Sequence, residues 1–192
     1  MISGRSFRRF TVAEYHRLVE LGIVTENDGV ELIEGLLVTK PSPQSPAHDY
    51  ASCVLREIIF PLLPAGWIAR SGSGVTLADS ETEPDLAIVR GDRNTYRNRH
   101  PNPADVGVVV EVADSSLDSD RADKCRIYAR AGLPEYWIVN VVDGKVEVYT
   151  SPSGPTADPA YANRRDYRPG DAVPLVLDGA TVAQLAVSEI NG

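Results

Sequence analysis

The valine-rich segment at residues 106–113, VGVVVEVA, surrounds a single carboxylate, Glu111, with five valines. Such a run predicts a strand that is buried on both faces of a sheet. Because side chains alternate along a strand, Val109 and Glu111 share one face and the remaining valines lie on or near the other. A buried carboxylate is costly unless a cation neutralises it. Glu111 is therefore either half of a structural salt bridge, for which Arg121 and Arg130 are candidates, or a metal ligand.

The length and the order of patterns predict a mixed α/β domain with a central sheet. The 192 residues, 43% of them hydrophobic, suffice for a single domain over residues 1–192. Helical and strand-like patterns follow in the order helix, strands, helix, several strands, helix, strands. The Asp143-Gly144 pair predicts a hairpin with a type I′ turn. The segment TVAQLAV, residues 181–187, is expected to form a short final helix.

The net charge excludes general nucleic-acid binding as a function of the whole surface. The formal net charge is -8 and the isoelectric point is about 4.9, so the phosphate backbone is repelled on average. A nucleic-acid function must use a local basic patch or metal ions. The two cysteines, Cys53 and Cys125, show no metal-binding spacing. Neither a signal peptide nor a membrane-length apolar run is recognised, so a cytoplasmic protein without a membrane partner is expected.

A second acid, Asp85, follows Pro84 at the start of another predicted strand. If this strand neighbours that of Glu111, both carboxylates can point into one cleft. Two close carboxylates repel each other unless a cation lies between them. All-oxygen ligands favour a hard ion, Mg²⁺ or Mn²⁺. The alternative is that Asp85 is an ordinary polar residue at the start of a strand.

Lys124 lies on the helix that follows the Glu111 strand. Helical spacing places it on one face with Arg121 and Tyr128, available to a cleft. Alternatively, Lys124 forms a surface pair with Asp120, four residues before it.

The polar loop at residues 90–100 holds four arginines and one histidine against one acid. It is expected to border the cleft and to contact a nucleic-acid backbone through Arg93, Arg97 and Arg99. A solvated connection without a binding role is the alternative.

The acids and the lysine, in this order and setting, resemble the PD-(D/E)XK nuclease superfamily; they are Glu31, Asp85, Glu111 and Lys124. More closely, the chain resembles a large bacterial family of restriction-endonuclease-like proteins of uncharacterised function. The similar segments are FTVAEYHRLVELG, VELIEG, His48 before a helix, EPDLAIV, VVVEVADSSLDSDRADKCRIYARAGLPEYWIVN and VEVY. The resemblance covers a core of about residues 10–152 and continues more weakly through the strands and short helix of residues 153–192.

The resemblance implies an α/β fold with a restriction-endonuclease-like mixed central β-sheet, flanked by helices and carrying additional β-hairpins. It also implies that Asp85 and Glu111 bind Mg²⁺ or Mn²⁺, with the carbonyl of Val112 as a further ligand. The usual lysine position, two residues after the strand acid, is Ala113. Lys124 from the next helix is then the catalytic lysine, since a long flexible ammonium side chain can reach the same point.

Two further residues receive alternative roles from the resemblance. Glu31 ligates a second metal or orients Lys124. His48 contacts phosphate, positions Glu31 or caps its helix.

The implied function is Mg²⁺-dependent endonuclease cleavage of DNA, and a homodimer is expected because cutting both strands needs two sites. Two other functions stay open: a non-enzymatic binding or assembly module on a nuclease-like fold, and a metal-dependent hydrolase of another phosphate ester. Metal titration separates the binding module from the two enzymes, and a substrate screen separates the enzymes from each other.

Overall fold

The computed structural model describes residues 7–40 and 45–191. Its helices are α1 (Val12–Glu20), α2 (Pro46–Ile59), α3 (Leu117–Ser119), α4 (Cys125–Ala131) and α5 (Val187–Asn191), with a π-helical turn at Asp120–Lys124 between α3 and α4. The first strands are β1 (Val30–Ile33), β2 (Leu36–Thr39), β3 (Trp67–Ser71), β4 (Val75–Thr76), β5 (Glu81–Thr82) and β6 (Leu86–Arg90). The later strands are β7 (Val106–Ala113), β8 (Glu135–Asn140), β9 (Lys145–Pro152), β10 (Tyr161–Tyr167), β11 (Ala172–Leu177) and β12 (Ala180–Ala186).

The central sheet is mixed, as predicted. Its six strands have the order β10-β9-β8-β7-β6-β3. Strands β7 and β8 are parallel, and the other neighbours are antiparallel. The parallel pair needs a crossover, which the helical segment from α3 to α4 supplies. A smaller sheet, β2-β1-β5-β4, and the β11-β12 hairpin complete the architecture.

Strand β7 runs through the middle of the core, and all eight of its residues are buried. On one face of the sheet, Val108 and Val110 pack with Leu55 of α2 and with the β11-β12 hairpin. On the other face, Val109 packs with Ile127 of α4. The sheet is therefore covered on both sides, which explains why β7 reads as a valine run rather than as an alternating strand.

The C-terminal helix prediction for residues 181–187 is wrong over most of its length, because residues 180–186 form strand β12. The turn before it, Asp178-Gly179, has φ values of +53° and +75°. Two successive left-handed residues favour a tight hairpin, and Asp-Gly is the sequence signal for it. The β8-β9 hairpin does form, but only Gly144 of its Asp-Gly pair has a positive φ. Its turn is therefore not type I′.

Within the described part of the chain, no helix has the length and apolar character needed to cross a bilayer.

Candidate active site

Glu111 lies on β7, Asp85 directly precedes the neighbouring antiparallel strand β6, and both acids line one cavity of about 490 Å³. The register places Leu86 of β6 opposite Val110 of β7, so Asp85, one residue before β6, reaches the strand end that carries Glu111. The backbone N–H of Val112 donates a hydrogen bond of 2.7 Å to Oδ2 of Asp85. This bond fixes the Asp85 carboxylate against β7, and the two acids share one cleft.

Glu111 is 7% exposed and contacts two side chains from the following helical segment. Its Oε1 accepts hydrogen bonds from the Tyr128 hydroxyl at 2.8 Å and from Nζ of Lys124 at 3.2 Å. Burial raises the pKa of Glu111 well above its ordinary value, against the lowering effect of the Lys124 ammonium. The cation beside Glu111 is thus Lys124; Arg121 and Arg130 pair with other acids.

Lys124 points into the cavity and not along the helix surface. Its Nζ lies 2.8 Å from Oε2 of Glu31, and its side chain is 13% exposed. Burial lowers the pKa of Lys124, but the carboxylates of Glu111 and Glu31 outweigh burial and raise it overall. The surface pair with Asp120 does not form: Asp120 is buried and accepts a hydrogen bond from Ser116 at 2.7 Å.

The π-helical turn at Asp120–Lys124 changes which residues face the cleft. Arg121, predicted to share a face with Lys124, instead pairs with buried Glu147. Asp120 lines the cavity, and burial raises the pKa of its carboxyl. A helix-period pattern misses this arrangement because a π-turn holds an extra residue per turn. Sequence reasoning therefore missed Asp120 as a cavity residue.

A clamp at the β1-β2 turn holds the strand that carries Glu31. Glu34, in a left-handed conformation at φ 48°, accepts two hydrogen bonds of 2.6 and 2.8 Å from Arg126 of α4. Arg130 adds a third contact of 2.9 Å. Glu31 and Lys124 are thereby brought together by elements that are tied to each other outside the cavity.

His48 lies in the first turn of α2, and its Nε2 is 3.3 Å from Oδ2 of Asp85. The hydrogen bond to Asp85 raises the pKa of His48, and this effect exceeds the opposing effect of burial. The helix cap is Ser45, whose hydroxyl oxygen accepts a hydrogen bond from the His48 N–H. The predicted capping role and the predicted contact with Glu31 are therefore wrong, since His48 pairs with Asp85.

The loop at residues 90–100 does not line this cavity, and the expectation that it borders the cleft is wrong. Arg90 stands at the opposite end of β6 from Asp85 and pairs with Asp178. Arg99 is held by Asp105 at 2.6 Å. The antiparallel hairpin geometry sends this connection to the far end of the sheet. Nucleic-acid contact by Arg93, Arg97 and Arg99 stays a prediction.

The cavity carries an excess of negative charge. Its acidic lining residues are Glu31, Glu83, Asp85, Glu111, Asp114, Asp120 and Asp123, and its lysines are Lys40 and Lys124. Lys40 pairs with Glu83 at 2.5 Å, and no sequence pattern pointed to either residue. Concentrated carboxylates in a concave site favour the binding of a cation.

The donor set fits a hard divalent ion. Among the described residues, no three His, Cys, Asp or Glu side chains gather around one point as a complete metal site. Asp85 and Glu111 present two carboxylates to the cavity, beside the backbone of Val112. Mg²⁺ is commonly held by one or two carboxylates, with water and substrate phosphate as its other ligands. Two acids at an open cleft match that requirement.

The fold is similar to a crystal structure from Anabaena variabilis ATCC 29413 described as a putative nuclease belonging to DUF820. The TM-score is 0.63 at 19% sequence identity, covering 91% of this chain and 96% of that chain, which shows a shared fold. No curated protein matches the chain. A family model described as "Uma2: Putative restriction endonuclease" matches residues 12–187. Because the matched segment covers most of this chain, the chain belongs to the Uma2 family.

Proposed function

We propose that this protein is a Mg²⁺-dependent endonuclease that hydrolyses phosphodiester bonds in DNA. Membership of the Uma2 family supports a nuclease-like function. The observation that carries the finer proposal is the convergence of three side chains on one cavity, Asp85 and Glu111 from adjacent strands and Lys124 from the crossover helix. Two acids beside a buried ammonium suit the hydrolysis of a phosphate ester.

In this proposal Asp85 and Glu111 hold the ion, with the carbonyl of Val112 as a further ligand. The chemistry that a bound Mg²⁺ would supply there is Lewis-acid polarisation of the phosphate and activation of water. The hydrogen bond from the Val112 N–H keeps Asp85 in place, and His48 contacts the same oxygen, Oδ2, of that carboxylate. The valines of β7 form a rigid base that fixes the position of Glu111.

Lys124 has two tasks in the proposed reaction. Its ammonium orients the attacking water, and it stabilises negative charge that develops on the phosphate oxygens. Glu31 positions Lys124 through the 2.8 Å contact, which makes it a positioning residue rather than a second metal ligand. The alternative role of Glu31, ligation of a second ion, would require this ion pair to break.

The charge of the cavity explains why an ion is needed before substrate binds. A phosphodiester anion is repelled by a cavity with seven acids and two lysines. A divalent cation held by Asp85 and Glu111 would reduce this repulsion. Since two strands must be cut to make a double-strand break, a homodimer is part of the proposal.

A cleavage assay on supercoiled plasmid DNA tests the proposal, with Mg²⁺, Mn²⁺ or EDTA present. We expect nicked or linear products with either ion and none with EDTA. Nucleotide and phosphate monoester substrates, assayed in parallel, separate a nuclease from a hydrolase of other phosphate esters. Tight metal binding without turnover on any of these substrates would favour a binding module instead.

A further inference from the structure

A second cavity, of about 500 Å³, lies near the other end of the central sheet. Val106 and Gly107 at the start of β7 contribute to it, whereas Glu111 lies at the opposite end of that strand. The rise along a strand is about 3.3 Å per residue, so Gly107 is roughly 13 Å from Glu111. This cavity is therefore separate from the candidate active site.

Two acids line this cavity: Asp178, which pairs with Arg90, and Glu135, the first residue of β8. Glu135 is 6% exposed, and none of the described side chains forms an ion pair with it. The indole N–H of Trp137 favours the charged form of Glu135, but it forms no hydrogen bond of good geometry. Burial outweighs that influence and raises the pKa of Glu135 to about 7. A buried carboxylate that has no paired cation is expensive unless a ligand supplies one.

The walls of the cavity are mostly apolar. The guanidinium of Arg90 stacks on the Trp67 ring, 4.5 Å from its centroid, and pairs with Asp178. Arg90 is therefore already engaged and does not neutralise Glu135. Gly107 allows the close approach of Trp67, because a Cβ there would lie 2.6 Å from the ring. The remaining apolar lining residues are Pro103, Ala104, Val106, Pro134 and Val176.

We propose that this second cavity is a binding site for a small planar organic cation of the amidinium or guanidinium class. Such a cation presents two parallel N–H donors, which match the two oxygens of the Glu135 carboxylate. An attached apolar group would pack against Trp67 and the prolines. The stacking of Arg90 shows that the indole already accepts a planar cation on one face.

The test is a titration of the full-length protein with benzamidine, followed by calorimetry and by intrinsic tryptophan fluorescence. Both tryptophans of the chain, Trp67 and Trp137, lie at or beside the cavity, so fluorescence reports on this site. We expect saturable binding that is weakened at least about tenfold in Glu135→Gln, the change expected on loss of a charge-assisted hydrogen-bond pair. Benzyl alcohol, a neutral analogue, should bind at least about tenfold more weakly than benzamidine for the same reason. Agmatine tests whether an aliphatic guanidinium is accepted as well.

Two variants make the result decisive. Asp85→Asn lies in the other cavity and should bind benzamidine like the unmodified protein. Trp67→Phe keeps a smaller aromatic wall and should weaken binding while Glu135 stays intact. The inference is overturned if benzamidine does not bind saturably, or if Glu135→Gln binds it as tightly as the unmodified protein. Neither outcome bears on the proposed nuclease function, since the two sites share no residue.

Discussion

The ammonium of Lys124 lies 3.2 Å from a carboxylate oxygen of Glu111, although the two residues are 13 positions apart on different elements. Glu111 lies on strand β7, and the helical crossover that follows β7 brings Lys124 back beside it. The position two residues after Glu111 is Ala113, which is fully buried and carries no charge. The crossover thus places a cation where the strand itself offers none.

Replacing Lys124 with alanine should reduce DNA cleavage by about 100-fold or more, the scale expected when a preorganised charge is removed from a reacting group. Metal affinity should be largely retained, because the lysine acts on water and phosphate in our account. Cleavage rates and Mn²⁺ titrations on the same variant measure both quantities. Lys145→Ala is a matched control, since Lys145 is also mostly buried and paired with acids, but it contacts Asp166 outside the cavity. Full activity of Lys124→Ala would remove the lysine from the mechanism.

The variant Glu111→Gln should abolish cleavage. It should also change how the free energy of unfolding depends on pH. Burial raises the pKa of Glu111 in the folded state, so the folded protein binds this proton more tightly than the unfolded chain. Its contribution to the free energy of unfolding is therefore greatest at low pH and declines as pH rises above about 4.5 and through the raised pKa. In EDTA, the glutamine variant should lose less stability than the unmodified protein over this range. Urea denaturation across pH measures the difference, and parallel pH profiles would contradict the account.

Arg126→Ala should destabilise the fold by about 1–3 kcal/mol, the range for losing hydrogen bonds to a charged group. The bidentate contact of Arg126 with Glu34 ties the β1-β2 turn to α4. Its loss should also slow cleavage, because that turn positions Glu31 beside Lys124. Arg17→Ala is the control: its pair with Glu20 is exposed and should contribute less than about 0.5 kcal/mol. Equal effects of the two substitutions in urea denaturation would contradict a clamping role.

Much of the central fold could be predicted from local patterns. The valine run predicted a doubly buried strand, which the structure contains as β7. Asp85 and Glu111 were considered as neighbours because each acid lies at or within a predicted apolar strand. These predictions rest on side-chain periodicity, which acts over a few residues.

Other features depend on contacts that periodicity does not encode. The π-turn rotates Arg121 away from the cavity and turns Asp120 into it, and the printed sequence gives no spacing signal for such a turn. Strand β12 resembled a helix because its apolar residues also fit a helical period, although Asp178-Gly179 was a usable hairpin signal. The position of the loop at residues 90–100 is fixed by the antiparallel pairing of β6 and β7, which carries it to the end of the sheet away from Asp85.

Glu147 should make stability fall steeply in acid. Its side chain is fully buried, and burial raises its pKa, but hydrogen bonds from Arg121, Asn140 and Tyr149 outweigh this and lower the pKa to about 2. At pH values above about 4.5, the pKa of this group in the unfolded chain, the lowered pKa contributes on the order of 3 kcal/mol to the free energy of unfolding. This contribution is lost as the pH falls toward 2. Glu147→Gln should be less stable at pH 6 and show a shallower loss between pH 5 and 2. Thermal denaturation at several pH values measures the stability at pH 6 and its loss between pH 5 and 2. If Glu147→Gln loses as much stability in acid as the unmodified protein, Glu147 is not the source of that loss.

The most direct test of the central claim is plasmid cleavage by the unmodified protein and by Asp85→Asn, side by side, in Mg²⁺ and Mn²⁺. The asparagine keeps the size of the side chain and its ability to accept the Val112 hydrogen bond, but it removes the negative charge that an ion requires. Our account predicts metal-dependent nicking or linearisation by the unmodified protein and a loss of at least about 100-fold in the variant. Metal-dependent cleavage of equal rate by both proteins would contradict the account, and so would the absence of cleavage by correctly folded, metal-bound protein.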